Sequence, residues 1–404
     1  MLQTNKEILE EQIQCVKDKI LALNDNLQTL EAMELIEDTV LEGEYDLELE
    51  EYEELIKKVY AKTRSKMGML ETYIKDESIN EIMVNGKDHF FFEDSEGIGF
   101  VFDCFDSTEE LEEIIRNIAA GVHREINEMN PILDARLPDG SRVNAVYKNV
   151  AVGGPVLTIR KFAKERITIE EMISRGTLTR ECADFLKLLV ECGYNIFVSG
   201  GTSSGKTTFL NALSDYIPGE ERVIVIEDST ELQLERIENL VQMECHNANT
   251  MGQGQISMDM LIKTSLRMRP DRIIVGEVRG KEVADMLQAM NTGHDGSMST
   301  GHGNSVTGML RRLEAMYLMS AQIPMDAIRA QIVEGIDIMV HLGRLENGKR
   351  RVIEVQELLD FENGKYVLNP LYALDSDMEL VSTGNRICSR GKLLLKGLED
   401  DCRV

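Results

Sequence analysis

The run Gly200-Gly-Thr-Ser-Ser-Gly205-Lys206-Thr207 constrains this chain more than any other feature, because it fits GxxxxGK[ST] at every fixed position. A buried strand before it and a helix after it give the setting such a loop needs, and this context disfavours a glycine-rich turn that merely packs. The glycines let the backbone wrap phosphates, while N–H groups and the helix N-terminus supply positive potential. Lys206 would reach the β- and γ-phosphates, and the Thr207 hydroxyl would bind Mg²⁺. Gly200, Gly201, Thr202, Ser203, Ser204, Gly205, Lys206, Thr207 and Thr208 are therefore the candidate binding residues, with ATP and Mg²⁺ as the implied ligands.

Two further apolar runs end in carboxylates: Arg222-Val-Ile-Val-Ile-Glu227-Asp228 and Asp271-Arg-Ile-Ile-Val-Gly276-Glu277. Strand C-termini of an open α/β sheet border the ligand crevice, so these acids are expected beside the phosphate loop. Where many P-loop enzymes place an Asp for Mg²⁺, Gly276 stands, so the metal must be served by Glu227 or Asp228. Glu277 is assigned to the attacking water. For each acid, a capping or solvated residue is the bland alternative. His294 and His302 lie in the polar, glycine-rich stretch Thr292 to Asn304, whose composition suits a phosphate-sensing loop, although a lone histidine is more often a hydrogen-bonded structural residue.

The short apolar runs Ile196 to Val198, Val223 to Ile226 and Ile273 to Val275 alternate with helical patterns, which predicts a parallel sheet covered on both faces. Upstream, strand candidates at Ile79 to Val84, Phe90 to Glu93 and Gly99 to Phe102 are broken by Asn85-Gly86 and Glu96-Gly97. A helix should open at Ser107, a turn at Pro138-Asp-Gly140 should lead into a strand, and Val156 to Arg160 should be the last strand. Past Leu371 the text is sparse and charged, and a loosely packed tail is expected. The expected domains are an acidic helical extension over 1–65, an α/β domain over 66–165, an ATPase domain over 166–370 and a tail over 371–404.

Residues 1–54 hold 17 acidic and 3 basic side chains, so about half of the net charge of −27 sits there. Leu9, Ile13, Val16, Ile20, Leu23, Leu27 and Leu30 recur at heptad spacing. This seam is either an amphipathic helix lying on its own domain or a coiled-coil or partner-docking helix. The acidic balance argues against nucleic acid, whose phosphates require clustered Lys and Arg. Seven scattered cysteines without a CxxC pair signal neither a disulfide framework nor zinc. No apolar window approaches a membrane span and the start lacks a signal-peptide pattern, so a cytoplasmic protein is expected.

Taken together, these residues resemble the traffic ATPases of type II secretion, type IV secretion and type IV pili, and most closely the CpaF-like ATPases of Flp pili. That family's Walker A, Asp box, Walker B and His box are similar to Gly200 to Thr207, Val225 to Glu231, Ile273 to Arg279 and Asn291 to Asn304. Ser78 to Gly86, Asp134 to Asn144 and Leu157 to Phe162 resemble its N-terminal domain. The resemblance covers roughly residues 70–360. It implies a PAS-like α/β domain joined to a RecA-like P-loop domain, and a homo-hexameric ring with nucleotide between the domains. It also implies a cytoplasmic enzyme hydrolysing ATP on an inner-membrane platform protein. Arg142 and Arg160 would approach the γ-phosphate, with Arg267 and Arg279 as the ATPase-domain arginines. A conjugative type IV secretion ATPase and a RecA-like nucleic-acid motor are the competing readings.

Overall fold

The computed structural model describes residues 29–42, 52–53, 55–56, 59–60, 65, 67–94, 97–101, 105–162, 166–246, 254–345 and 348–398. The chain divides into two compact units, residues 1–163 and 164–404.

In the first unit, α1 (Thr29–Glu42) buries Ile36 and Val40 in a small apolar cluster with Leu55 and Val59. Leu9 to Leu27 of the heptad seam lie outside the described residues. A short α2 (Leu70–Lys75) precedes β1 (Glu81–Asn85), β2 (Phe90–Glu93) and β3 (Ile98–Val101). The helix α3 (Thr108–Gly121) then leads to β4 (Ile132–Arg136), β5 (Arg142–Val146) and β6 (Val156–Arg160). Ser107 caps α3 by accepting from the Glu110 N–H at 3.1 Å, and Glu109 and Glu110 complement the positive helix end. Leu111, Ile114, Ile115 and Ile118 form its buried face, sharing a core with Ile82 and Val84 of β1 and Leu157 and Ile159 of β6. The strands make one antiparallel sheet in the order β3-β2-β1-β6-β5-β4, in keeping with the PAS-like α/β domain that the family resemblance implies. One strand escaped the sequence reading: Pro138-Asp-Gly140 joins β4 to β5 as a hairpin. β4 is an edge strand with an exposed Ile132, so its apolar alternation is weak.

The second unit opens with α4 (Ile169–Ser174), α5 (Arg180–Glu191), β7 (Ile196–Gly200), α6 (Lys206–Ser214), β8 (Arg222–Glu227) and β9 (Asn239–Glu244). It continues through α7 (Met258–Ser265), β10 (Arg272–Val278), α8 (Val283–Asn291), β11 (Met298–His302), α9 (Val306–Leu318) and α10 (Met325–Gly335). The chain then forms β12 (Ile338–Arg344), β13 (Arg350–Glu362), β14 (Lys365–Leu374), β15 (Leu380–Ser382) and α11 (Gly391–Leu395). The nine strands run in the order β15-β14-β13-β12-β7-β11-β10-β8-β9. From β12 to β9 every pairing is parallel, whereas β13, β14 and β15 continue the sheet antiparallel. Side chains alternate between two cores: Val198 and Val225 pack with Leu186 of α5 and Phe209 of α6, while Phe197 and Ile224 pack with Met286 of α8 and Leu310 of α9. Burial on both faces explains why the parallel strands read as unbroken apolar runs.

The expected loose tail is corrected by the structure. Tyr372, Leu380, Ile387 and Leu393 are buried in the first of these cores. Glu357 of β13, fully buried, accepts from the Ser389 N–H at 2.7 Å, the Cys388 N–H at 2.9 Å and Asn369 Nδ2 at 2.8 Å. Lys392 Nζ stands 2.7 Å from Asp337 Oδ2 and 2.8 Å from Asp295 Oδ1. The tail's apolar residues are widely spaced, so their docking depends on partners far away in sequence and leaves little local periodicity. Among the described residues no helix is long and apolar enough to cross a membrane.

Candidate nucleotide site

The loop Gly201 to Gly205 joins β7, buried along its whole length, to α6. A Cβ at Gly200 would stand 2.5 Å from Ser204 Oγ and 2.6 Å from the Leu342 carbonyl, so this turn accepts only glycine. Gly205, at φ +90°, forms the N-cap of α6 in a left-handed conformation. Ser204 Oγ donates to the Gly201 carbonyl at 2.9 Å, closing the loop on itself. Thr207 and Thr208 occupy the first turn of α6, directly after Lys206.

Lys206 Nζ donates to the Gly201 carbonyl at 2.9 Å and lies 3.4 Å from His302 Nδ1. Burial lowers its pKa, opposed by the Glu277 carboxylate and assisted by the Arg279 guanidinium. His302 is adjacent because β11 pairs with β7 in the register that sets His302 opposite Gly200. The sequence reading treats Thr292 to Asn304 as a loop, and the structure corrects this: Met298 to His302 is a strand inserted between β7 and β10. Polar residues fit there because they are small. Thr300 Oγ1 donates to the Gly276 carbonyl at 2.8 Å, and a Cβ at Gly301 would meet Met309 Cε at 2.7 Å.

Glu277 is the penultimate residue of β10, on the other side of β11. Its Oε1 lies 2.8 Å from His302 Nε2, and its Oε2 accepts from Arg279 at 2.7 Å. Oε1 is buried and makes no well-aligned hydrogen bond in this arrangement. The pKa of the His302 ring is lowered by burial first and by Lys206 next. The neutral imidazole that results can accept from Lys206 at Nδ1 and present Nε2–H to Glu277. Arg279 also approaches Asp228, NH1 to Oδ2, at 3.7 Å. Cys245 sits beside Asp228, its thiol pushed up to about 12 by burial and then by that carboxylate.

Glu227 and Asp228, left as alternatives by the sequence, occupy different settings. Glu227 is buried, and its Oε1 accepts from the Glu231 N–H at 3.0 Å and the Leu232 N–H at 3.2 Å, holding the turn after β8. Gly276 makes room for it, since a Cβ there would stand 2.8 Å from Glu227 Cγ. Asp228 is half exposed beside Arg279, the better placement for a hydrated cation.

Not every candidate converges. His294 precedes β11 at the end of the sheet away from the loop, its Nδ1 3.1 Å from the Ala289 carbonyl at the close of α8, so it serves as a helix-end residue. A strand such as β11 spans roughly 3.3 Å per residue, which separates the two histidines by the strand's length. Arg267 is exposed on the stretch between α7 and β10, near the opposite strand ends, where Arg222 Nε donates to the Met268 carbonyl at 2.9 Å. Arg142 and Arg160 belong to the first unit, where β5 and β6 pair them directly, with Arg136 next along the ladder. Two residues that the sequence reading missed border the loop. Arg350 Nε donates to the Ser203 carbonyl at 3.0 Å, and the buried His341 places Nδ1 2.9 Å from Ser199 Oγ. Only strand pairing reveals them, because both come from β12 and β13.

The residues fit a nucleoside polyphosphate with Mg²⁺. The glycine at 200 and the left-handed Gly205 let the loop turn tightly onto the N-terminus of α6, and Lys206 and Arg279 set two cations beside it. Magnesium keeps most of its waters and needs few protein oxygens, and Thr207 and Asp228 are the residues that would supply them.

Fold and site thus define a RecA-like P-loop protein. The profile of the family described as "Type II/IV secretion system protein" matches residues 63–347, and the chain belongs to that family. It is 32% identical over 297 residues to the probable conjugal transfer protein TrbB of Sinorhizobium fredii, covering 72% of this chain and 87% of that one. It is 34% identical over 314 residues to the type IV secretion system protein PtlH of Bordetella pertussis, covering 71% and 92%. An uncharacterized protein of Methanocaldococcus jannaschii is 44% identical over 243 residues, which are 58% of this chain and 33% of that relative's length. Among solved structures, the DotB ATPase of Yersinia pseudotuberculosis matches with TM-score 0.54 at 17% identity over 75% of this chain and 82% of that one. The pilus retraction motor PilT with bound ADP matches with TM-score 0.51 at 20% identity over 81% and 85%. These two likenesses concern the fold.

Proposed function

We propose that this chain is an ATPase, hydrolysing ATP to ADP and phosphate with Mg²⁺ and working as a cytoplasmic homo-hexamer that powers pilus assembly or protein secretion from an inner-membrane platform protein. The observation that carries the reading is the contiguous set Lys206, His302, Glu277 and Arg279 at the strand ends, where a loop built only for packing would need none of them. Lys206 supplies charge against the transferred phosphate, Glu277 orients or deprotonates water, and Arg279 supports both Glu277 and Asp228. Arg142 and Arg160 are proposed as further cations of the reaction, supplied by their own chain or by a neighbour in the ring. Residues 1–65 and 66–165 are the proposed divisions ahead of the ATPase domain, which the packing of the C-terminal segment extends past 370.

A CpaF-like pilus motor remains the reading drawn from the motifs. A conjugative or type IV secretion motor is the second reading, favoured by the names of the TrbB and PtlH relatives. Purified full chain should release phosphate from ATP only with Mg²⁺, and Lys206→Ala should abolish this. Normal turnover by the variant would refute the assignment.

A further inference from the structure

Strands β12 and β13 wall one side of the phosphate loop. Leu342 of β12 presses its carbonyl against Gly200, His341 meets Ser199, and Arg350 of β13 donates Nε–H to the Ser203 carbonyl at 3.0 Å. Ser203 is the loop residue that most needs support. Its φ of +57° lies in the left-handed region, where a Cβ crowds the backbone and non-glycine residues are rare. Fixing its carbonyl fixes the whole peptide plane, and with it the direction of the Ser204 N–H, which closes the loop on the Gly201 carbonyl at 3.4 Å. The Arg350 stem also abuts the loop, its Cδ 3.2 Å from where a Gly205 Cβ would stand.

We propose that Arg350 is a positioning residue for nucleotide binding, holding Ser203 left-handed so that the loop stays in the one closed form in which the Ser204 N–H and Oγ both meet the Gly201 carbonyl. This rests on the reading of the chain as an ATPase. A loop already ordered loses less freedom when the nucleotide arrives, so losing Arg350 should weaken affinity more than it slows the chemical step. Glycine adopts positive φ without strain, so a glycine at 203 should make the guanidinium dispensable.

The test measures binding of a fluorescent ATP analogue with Mg²⁺, and ATP turnover, for the full chain and for Arg350→Ala, Arg350→Lys, Ser203→Gly and the double variants. Arg350→Ala should raise Kd about three- to tenfold, the scale of one ordinary hydrogen bond lost at an exposed site, with kcat within about twofold. Arg350→Lys should recover part of the affinity, since an ammonium can still reach the carbonyl. In the Ser203→Gly background the same Arg350→Ala change should raise Kd by less than about twofold. Equal factors in both backgrounds, or a fall in kcat with Kd unchanged, would overturn the proposal while leaving the ATPase reading standing. Absence of binding by the unmodified chain would overturn both. If Arg350→Ala fails to fold, Arg350→Lys in the two backgrounds carries the same comparison.

Discussion

His302 Nε2 and Glu277 Oε1 lie 2.8 Å apart across the junction of β11 and β10, with Lys206 Nζ 3.4 Å from the other ring nitrogen. The ring therefore links the cation of the phosphate loop to the carboxylate assigned to water, and a change at either end is felt at the other. Replacing Glu277 with Gln keeps the shape but removes the proton acceptor. Mg²⁺-dependent ATP binding should stay within about threefold while turnover falls by about 10² or more, the usual worth of a general base. Loss of binding in a fluorescence titration would instead make Glu277 a metal-holding or structural residue.

The ring also predicts a pH dependence. Burial and Lys206 lower the His302 pKa from its ordinary 6.5, so the imidazole is neutral above that value and gains a proton only below it. Protonation fills Nδ1, ends its acceptance from Lys206 and sets a third cation beside Lys206 and Arg279. Because the folded-state pKa is the depressed one, the associated stability is present above 6.5 and lost as pH falls through the lower folded value. Turnover should accordingly be flat from pH 7 upward and drop on an acid limb centred below 6.5. His302→Asn should remove that limb from the kcat/KM profile; an unchanged limb would mean that another group titrates there.

Glu357 offers a prediction about stability. Its carboxylate, fully buried, accepts from two backbone N–H groups of the C-terminal segment and from Asn369. Glu357→Ala removes the acceptor these donors share; Cys388 and Ser389 are themselves exposed, so water can reach their N–H groups, and each lost bond costs about 0.5–1.5 kcal/mol. The denaturant midpoint should fall clearly, and limited proteolysis should cut first within 385–398. A variant with unchanged midpoint and cleavage would show that the tail docks without this anchor.

Glu357 also marks the limit of what was legible in the sequence. The path from β7 through the loop to α6, and Glu277 at the end of β10, could be read locally, because strand, turn and helix signals adjoin one another in the chain. The insertion of β11 between β7 and β10 could not, since Ser299, Thr300 and Gly301 carry no apolar period and owe their burial to pairing with strands far off in sequence. The same holds for Arg350, whose partner Ser203 lies 147 residues away. His294 and His302 look equivalent in the text, yet one strand of five residues sends them to opposite ends of the sheet.

Gly276 stands where many P-loop enzymes carry an acid, and its neighbour accounts for the glycine. A Cβ at position 276 would lie 2.8 Å from Glu227 Cγ and 3.3 Å from its Oε1. Both are packed, because Glu227 is buried and committed to the Glu231 and Leu232 N–H groups. Gly276→Ala should therefore push the Glu227 carboxylate off the turn it holds, at a cost of about 1–3 kcal/mol from overpacking. Asp228 and Glu277 directly follow the two displaced residues, so turnover should fall more than tenfold, beyond what the lost stability alone would remove. The cause can be isolated with a second change: Glu227→Ala deletes the atoms that the new methyl would strike. If the clash is the mechanism, the unfolding free energies of the two substitutions will not add, and the double variant will be more stable than their sum by about 1 kcal/mol or more. Strict additivity in denaturant unfolding would mean that Gly276 is required for its backbone and not for the space it leaves to Glu227.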